Sequence, residues 1–335
     1  MRAGLRWILA MGAAVAAVVL MGCGDGAAGS AAQEEGAGET PEGPRVVATI
    51  GMVADVARNV GGDRVEVQGL IPAGVDPHLY SATRSDVQRL MGADLILYNG
   101  LRLEGKLGDS FTRAEASGKT VVAVAGSVEE AALLATDEEG EQGFDPHLWM
   151  DPRLWMRAVD VVRDALIEVD PAGEATYRAN AEAYRSDLES LDAYAVEVLA
   201  SVPERQRVLV TAHDAFNYFG ERFGFEVVGI QGISTESEAG VRDIERLVEL
   251  LVSREVGAVF VESTVSDQNI KALISGAGAR GHEVVIGGEL FSDAMGEAGS
   301  YEGTYVGMID HNVTTIARAL GGEAPEGGMH GKLSR

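Results

Sequence analysis

Residues 45–71 read RVVATIGMVADVARNVGGDRVEVQGLI, and the order of patterns within them decides the fold. Two runs rich in β-branched residues, 46–50 and 65–71, flank residues 52–60, whose apolar positions recur at helical spacing. A strand, a helix and a second strand in such close succession imply a parallel sheet with helices on its faces.

The alternation continues outward from there. Residues 95–99 and 121–124 read as two more strands, with a helical pattern around 85–91 before the first of them. A second set of strands follows at 208–212, 225–230, 258–262 and 283–286, with helical patterns at 244–251 and 270–275. The expected fold is therefore α/β in two lobes, each a parallel four-stranded sheet with flanking helices. Residue identity between the halves is slight, so they are not a sequence repeat. Between them runs the longest helical pattern, from just after Pro171 through Tyr177, Tyr184, Leu188, Leu191 and Tyr194 to near Leu199, with Pro203 beyond its end. Some 28 residues at 1.5 Å each make a rod of about 42 Å, long enough to join both lobes as one rigid helix. The expected organisation is a first lobe at 45–169, a linking helix at 170–202 and a second lobe at 203–325.

The N-terminus reads differently. Arg2 and Arg6 precede an uncharged apolar run at 8–20, too short to span a bilayer comfortably but suited to the core of a signal peptide. It ends in Leu20-Met21-Gly22-Cys23, which resembles the bacterial lipobox, although Met21 is a less usual residue at its place. Residues 1–23 are thus expected to be a lipoprotein signal, with Cys23 lipidated as the mature N-terminus. The sequence predicts an exported protein held to the membrane by that lipid, facing the periplasm or the cell exterior. Residues 24–44 contain no Lys or Arg and no apolar periodicity, so they read as a disordered tether. As a flexible coil it would reach roughly 25 Å.

Charge removes one class of function. Asp and Glu number 52 against 27 Lys and Arg, a formal net charge of -25, which repels a phosphate backbone and argues against nucleic-acid binding. Cys23 is the one cysteine, so neither an internal disulfide nor a cysteine-based zinc site is available.

The chemistry is expected at histidines. Asp76-Pro77-His78-Leu79-Tyr80 and Asp145-Pro146-His147-Leu148-Trp149 repeat one device, a proline-stiffened turn that presents a histidine. Its recurrence suggests two imidazoles aimed at one target. His213 closes the apolar run 208–212, at a strand's C-terminal end, where open α/β sheets place their ligand-binding residues. Three imidazoles suit a transition-metal ion and leave room for an oxygen donor. Asp293, after the last strand of the second lobe, is the choice for it, with Glu289 and Glu262 as competitors on position alone. His282, His311 and His330 read as structural or surface residues. Gly276-Ala277-Gly278-Ala279-Arg280-Gly281 matches the dinucleotide fingerprint but stands between a helix and a strand, the reverse of the required order. Gly118-Lys119-Thr120 resembles the end of a P-loop, but Arg113 stands where its first glycine is needed.

Six separated blocks now carry a resemblance: TIGM at 49–52, GVDPHLY at 74–80, ADLILYNGL at 93–101, FDPHLWMDP at 144–152, TAHDAF at 211–216 and FSDAMG at 291–296. Together they resemble the cluster A-I metal-binding receptors of bacterial zinc and manganese ABC importers, and within that family the treponemal type. The resemblance implies a solute-binding protein with Zn2+ or Mn2+ as cargo, buried between the lobes. It matches His78 and His147 to ligands from the first lobe, and His213 and Asp293 to ligands from the second. It further implies partnership with an ABC permease and its ATPase, by a monomer. Manganese-only members often carry Glu where this chain has His213, and many zinc receptors carry a His-rich loop where 136–142 is short and acidic. Those departures leave the cargo open between zinc alone and a mixed role. The competing expectation is a zinc hydrolase that uses the same three histidines.

Overall fold

β1 (Arg45–Ala48) starts where the tether's pattern stops, and it forms the centre of the first sheet. The computed structural model describes residues 43–138 and 141–334, so Cys23 and residues 24–42 lie outside the described residues. β1 pairs in parallel with β2 (Glu66–Gly69) on one side and β3 (Leu95–Tyr98) on the other, and β4 (Thr120–Ala123) pairs with β3. Val46, Val47 and Ala48 are all buried, which is why the run reads as continuously apolar instead of alternating. α1 (Gly51–Gly61) leads to β2, α2 (Arg84–Gly92) to β3 and α3 (Gly108–Ala116) to β4. α2 begins at a capping box, in which Thr83 accepts from the Asp86 amide and Asp86 accepts from the Thr83 amide.

The acidic segment after β4 forms a two-stranded antiparallel hairpin, β5 (Ala135–Glu138) with β6 (Glu141–Phe144). Its sequence has no alternating apolar face, so periodicity gave no sign of it. α4 (Pro152–Val169) follows, with Asp151 as its N-cap and Pro152 at its first position. α5 (Glu174–Ala200), the expected linking helix, starts after a single 3-10 turn at Pro171–Gly173.

The second lobe contains β7 (Val208–Thr211), α6 (Asn217–Phe223), β8 (Glu226–Gly229), α7 (Val241–Arg254), β9 (Ala258–Glu262), α8 (Gln268–Ala279), β10 (Val285–Leu290) and α9 (Tyr305–Ala319). All four expected strands are present. They form two parallel pairs, β7 with β8 and β9 with β10, and β9 lies beside β7. The strands divide their side chains between two cores. Leu209 and Phe260 join a core shared with the first lobe, while Val208, Val210 and Val259 face the core under α7 and α8. Glu283 and Val284 precede the observed β10, which instead runs on to Leu290.

α5 ties these parts together. Tyr177, Ala181, Tyr184, Leu188, Leu191, Ala195 and Val198 are buried at alternating steps of four and three, one continuous stripe along the rod. At 1.5 Å per residue its 27 residues span about 40 Å. Its polar contacts follow the same path from one lobe to the other. Asn180 donates to Val60 O at 3.0 Å, Tyr184 OH to Asp55 Oδ2 at 2.5 Å and Arg185 to Asp160 at 2.9 Å, all in the first lobe. Further along, Asp192 accepts two hydrogen bonds from Arg222 on α6, and Tyr194 meets Thr314 on α9 at 3.1 Å. Beyond α9 the chain continues as packed structure. Asp310 accepts the Met329 amide at 2.9 Å, and Glu302 accepts the Ser334 amide at 2.6 Å.

Asp55 is buried where α1 and α5 meet; burial pushes its carboxyl up, and the Tyr184 hydroxyl is the first interaction to oppose that. Tyr184→Phe removes this donor and is expected to lower the unfolding free energy by about 1–3 kcal/mol. Urea denaturation measures it, and an unchanged midpoint would show that the bond does not stabilise the junction.

Candidate metal centre

The four expected ligands converge. His78 sits on the loop after β2, His147 on the turn after β6, His213 directly after β7 and Asp293 just after β10. All four are buried, and their ligand atoms lie within 4.8 Å of one another. His78 Nε2 is 3.4 Å from His147 Nε2 and 3.5 Å from Asp293 Oδ2. His147 Nε2 is 3.3 Å from Asp293 Oδ1, and His213 Nε2 is 3.3 Å from Asp293 Oδ2. A tetrahedral ion with ligands at about 2.0–2.1 Å has edges of about 3.3–3.4 Å, so these spacings match its first shell. Both Asp293 oxygens and His213 Nε2 are buried without a hydrogen-bond partner. Such groups are costly unless something fills the space between them.

Each of two histidines is fixed by its own carboxylate. Asp145 Oδ1 accepts from the His147 backbone amide at 2.9 Å and lies 2.7 Å from its Nδ1. Glu262 accepts from the His213 amide at 2.8 Å and lies 2.5 Å from its Nδ1. Bonds of this kind fix the tautomer and turn Nε2 toward the centre. Glu262 is therefore no rival to Asp293 as a ligand; it orients one. Glu289 is exposed on β10 and takes no place in the cluster. Gly229 at the end of β8 is required here, since a Cβ would stand 2.5 Å from the Asp214 amide, next to His213.

Sequence reasoning missed the bonds that close the site from behind. Trp149 stacks edge-on against His147 and donates from Nε1 to Ser292 O at 2.9 Å, beside Asp293. Tyr305 donates to Trp149 O at 2.7 Å, and Tyr218 to Asp145 O at 3.0 Å. The other histidines are engaged elsewhere: His282 Nε2 meets Val256 O at 2.7 Å, His311 Nε2 meets Glu289 O at 2.9 Å, and His330 is exposed beside Tyr301.

The electrostatics suit a cation. Burial opposes charge on His147, but Asp145 and Asp293 outweigh it and hold the imidazole up to about 9. Burial likewise opposes charge on His213, and Glu262 and Asp293 hold it well above the ordinary range. Burial alone would raise the Asp293 carboxyl, yet His213 and His147 keep it well below the usual carboxylate range. His78 is pushed down to about 4 by burial and stays neutral near pH 7. Without a metal, protons on the imidazoles balance Asp293; with one, the ion takes over that role.

A two-lobed α/β fold with three imidazoles and a carboxylate between its halves defines a solute-binding protein whose ligand is a metal ion. Residues 46–319 match the family described as ZnuA, zinc-uptake complex component A, periplasmic, and the chain belongs to that family. Among curated relatives, the manganese-binding lipoprotein MntA of Bacillus subtilis is 45% identical over 305 residues, 91% of this chain and 96% of that one. The zinc-binding protein TroA of Treponema pallidum is 48% identical over 277 residues, 83% of this chain and 89% of that one. The solved structure of the periplasmic zinc-binding protein TroA superposes with a TM-score of 0.80 at 47% identity, covering 83% of this chain and 99% of that one.

Because Asp145 and Glu262, with Asp293, favour protons on His147 and His213, metal binding is expected to release protons, and affinity should fall as pH is lowered. Calorimetry in buffers of different ionisation enthalpy measures the release. Glu262→Gln takes away the carboxylate that raises His213, and should reduce both proton release and affinity, the latter by about 10–100-fold. An unchanged affinity and proton count would show that Glu262 does not act on His213.

Proposed function

We infer that this chain is the extracytoplasmic receptor of a metal ABC importer, which captures Zn2+ or Mn2+ between its lobes and delivers it to the permease and its ATPase. The observation that carries this reading is the convergence of His78, His147, His213 and Asp293 at tetrahedral spacing, with both Asp293 oxygens left without protein partners. Three imidazoles and one carboxylate suit zinc. Both oxygens of Asp293 face histidine nitrogens, so a two-oxygen grip would give a five-coordinate ion. The relatives' names divide between manganese and zinc, and His213 is compatible with either ion. On nitrogen and oxygen ligands zinc binds more tightly than manganese, so manganese delivery would depend on metal availability and the permease.

The ion is cargo and the chain is an uptake component, not an enzyme. The site supports this chemically as well. A zinc hydrolase needs an open coordination position and a free general base. Here Asp293 occupies the fourth position, while Asp145 and Glu262 are both committed to histidine Nδ1 atoms. The division into lobes at 45–169 and 203–325, joined through 170–202, places two ligands on each side of the cleft. The receptor acts as a monomer, since each chain carries a full ligand set.

The relatives named as lipoproteins support export and a membrane anchor, which the proposal places at Cys23. No helix among the described residues is long and apolar enough to cross a membrane. Cys23→Ser is expected to move the protein from the membrane fraction to the soluble extracytoplasmic fraction; retention at the membrane would refute the assignment.

Native metal analysis of protein purified without added metal tests the central reading, followed by competition between Zn2+ and Mn2+. One ion per chain is expected, held more weakly in His78→Ala, which keeps three of the four ligands, and lost in Asp293→Asn. If neither ion binds below micromolar concentration, or if hydrolytic turnover scales with bound zinc, the receptor reading fails.

A further inference from the structure

Both Asp-Pro-His turns use their aspartate twice. One oxygen accepts the amide of the histidine two residues on, Asp76 Oδ1 from His78 at 2.8 Å and Asp145 Oδ1 from His147 at 2.9 Å. The other oxygen is held from the opposite lobe. Thr235 donates its hydroxyl to Asp76 Oδ2 at 2.5 Å, and Asn217 donates to Asp145 Oδ2 at 3.2 Å. Each turn that carries a first-lobe ligand is thus gripped across the cleft by a second-lobe side chain.

The three histidines are otherwise held unequally. Asp145 also bonds the His147 ring, and Trp149 packs against it; Glu262 bonds the ring of His213. Among the described residues no hydrogen bond is made to Nδ1 of His78. His78 also borders a cavity of about 780 Å³, lined by Leu101, Lys106, Phe144, Ser234 and others. His147 and His213 are fully enclosed. His78 is therefore the ligand nearest open space, and its backbone depends on a turn tied to the second lobe through the Thr235 hydroxyl. Thr235 itself is buried, on the connection between β8 and α7.

We propose that Thr235 is a positioning residue for metal capture: through Asp76 it places His78 in the closed site, and its withdrawal removes His78 first. His147, His213 and Asp293 then remain as a weaker three-ligand half-site. This rests on the metal-receptor reading above, and assigns to a residue outside the ligand set the control of how long the ion stays.

The test uses the full chain with two probes, the absorption spectrum of bound Co2+ and the rate at which bound Zn2+ passes to a chelator. Thr235→Val is expected to speed Zn2+ release about tenfold, the loss of one hydrogen bond to a charged group. It should also alter the Co2+ spectrum through loss of one imidazole, and Thr235→Ser should restore both. In a His78→Ala background, Thr235→Val should change release no further, because there is no ring left to place. Equal acceleration in both backgrounds would mean a general loosening of the lobe and would overturn the proposal. So would a wild-type rate and spectrum in Thr235→Val. If Thr235→Val fails to fold, Thr235→Ala in the two backgrounds gives the same comparison. Failure of the wild type to bind Co2+ or Zn2+ would instead strike the receptor reading itself.

Discussion

A carboxylate buried among imidazoles is the constraint on which the rest depends. Asp293 is ionised, enclosed and without protein hydrogen bonds to either oxygen, an arrangement that is stable only when positive charge sits against it. Protons on His147 and His213 can supply that charge, and so can a divalent ion. A protonated site and a metal-loaded site are thus both neutralised, while a bare one would be costly. Asp145 and Glu262 extend the same logic outward, each holding one imidazole by its far nitrogen and by its backbone amide. Sulfur takes no part.

The fold explains how such a cluster is assembled from distant parts of the chain. His213 and Asp293 follow β7 and β10 closely, and His78 lies on the loop after β2, so three ligands come from beyond the C-terminal ends of parallel strands. His147 reaches the centre from a hairpin inserted after β4, and Trp149 secures its turn to the Asp293 loop. One hydrophobic core runs from Val46 to Leu320 through both lobes, with α5 along it, and the described residues make one compact unit. The ligands can approach across the cleft because the helices behind them are already fixed.

Much of this was legible in the sequence, for identifiable reasons. The strands of both lobes are β-branched runs, and α5 carries a stripe at helical spacing; both signals are local and strong. His78, His147 and His213 stood out because the turn is repeated and the third histidine follows a strand. Asp293 was not separable from Glu262 and Glu289 by position, since which carboxylate points inward depends on packing between strands. The resemblance to a family decided it. The role of the aspartates was hidden in plain view: the repeated motif drew notice to its proline and histidine, while Asp76 and Asp145 hold the turns. The hairpin at 135–144 lacked any apolar alternation. α4 is announced by Asp151-Pro152, a cap and a first-turn proline, at the end of the block that carries His147.

The unbroken buried stripe of α5 has a consequence for how a loaded receptor is recognised. A 27-residue helix packed against both halves resists bending, and large hinge closure needs a segment that can absorb dihedral change. Such a helix disfavours a large difference in outline between an empty and a loaded molecule. What distinguishes them must be written in a few surface loops around the mouth of the cleft, where His78, Lys106 and Ser234 lie. The transporter in the membrane must therefore identify its cargo by local texture rather than by overall shape. Discrimination between a full and an empty carrier becomes a matter of how long those loops hold one arrangement.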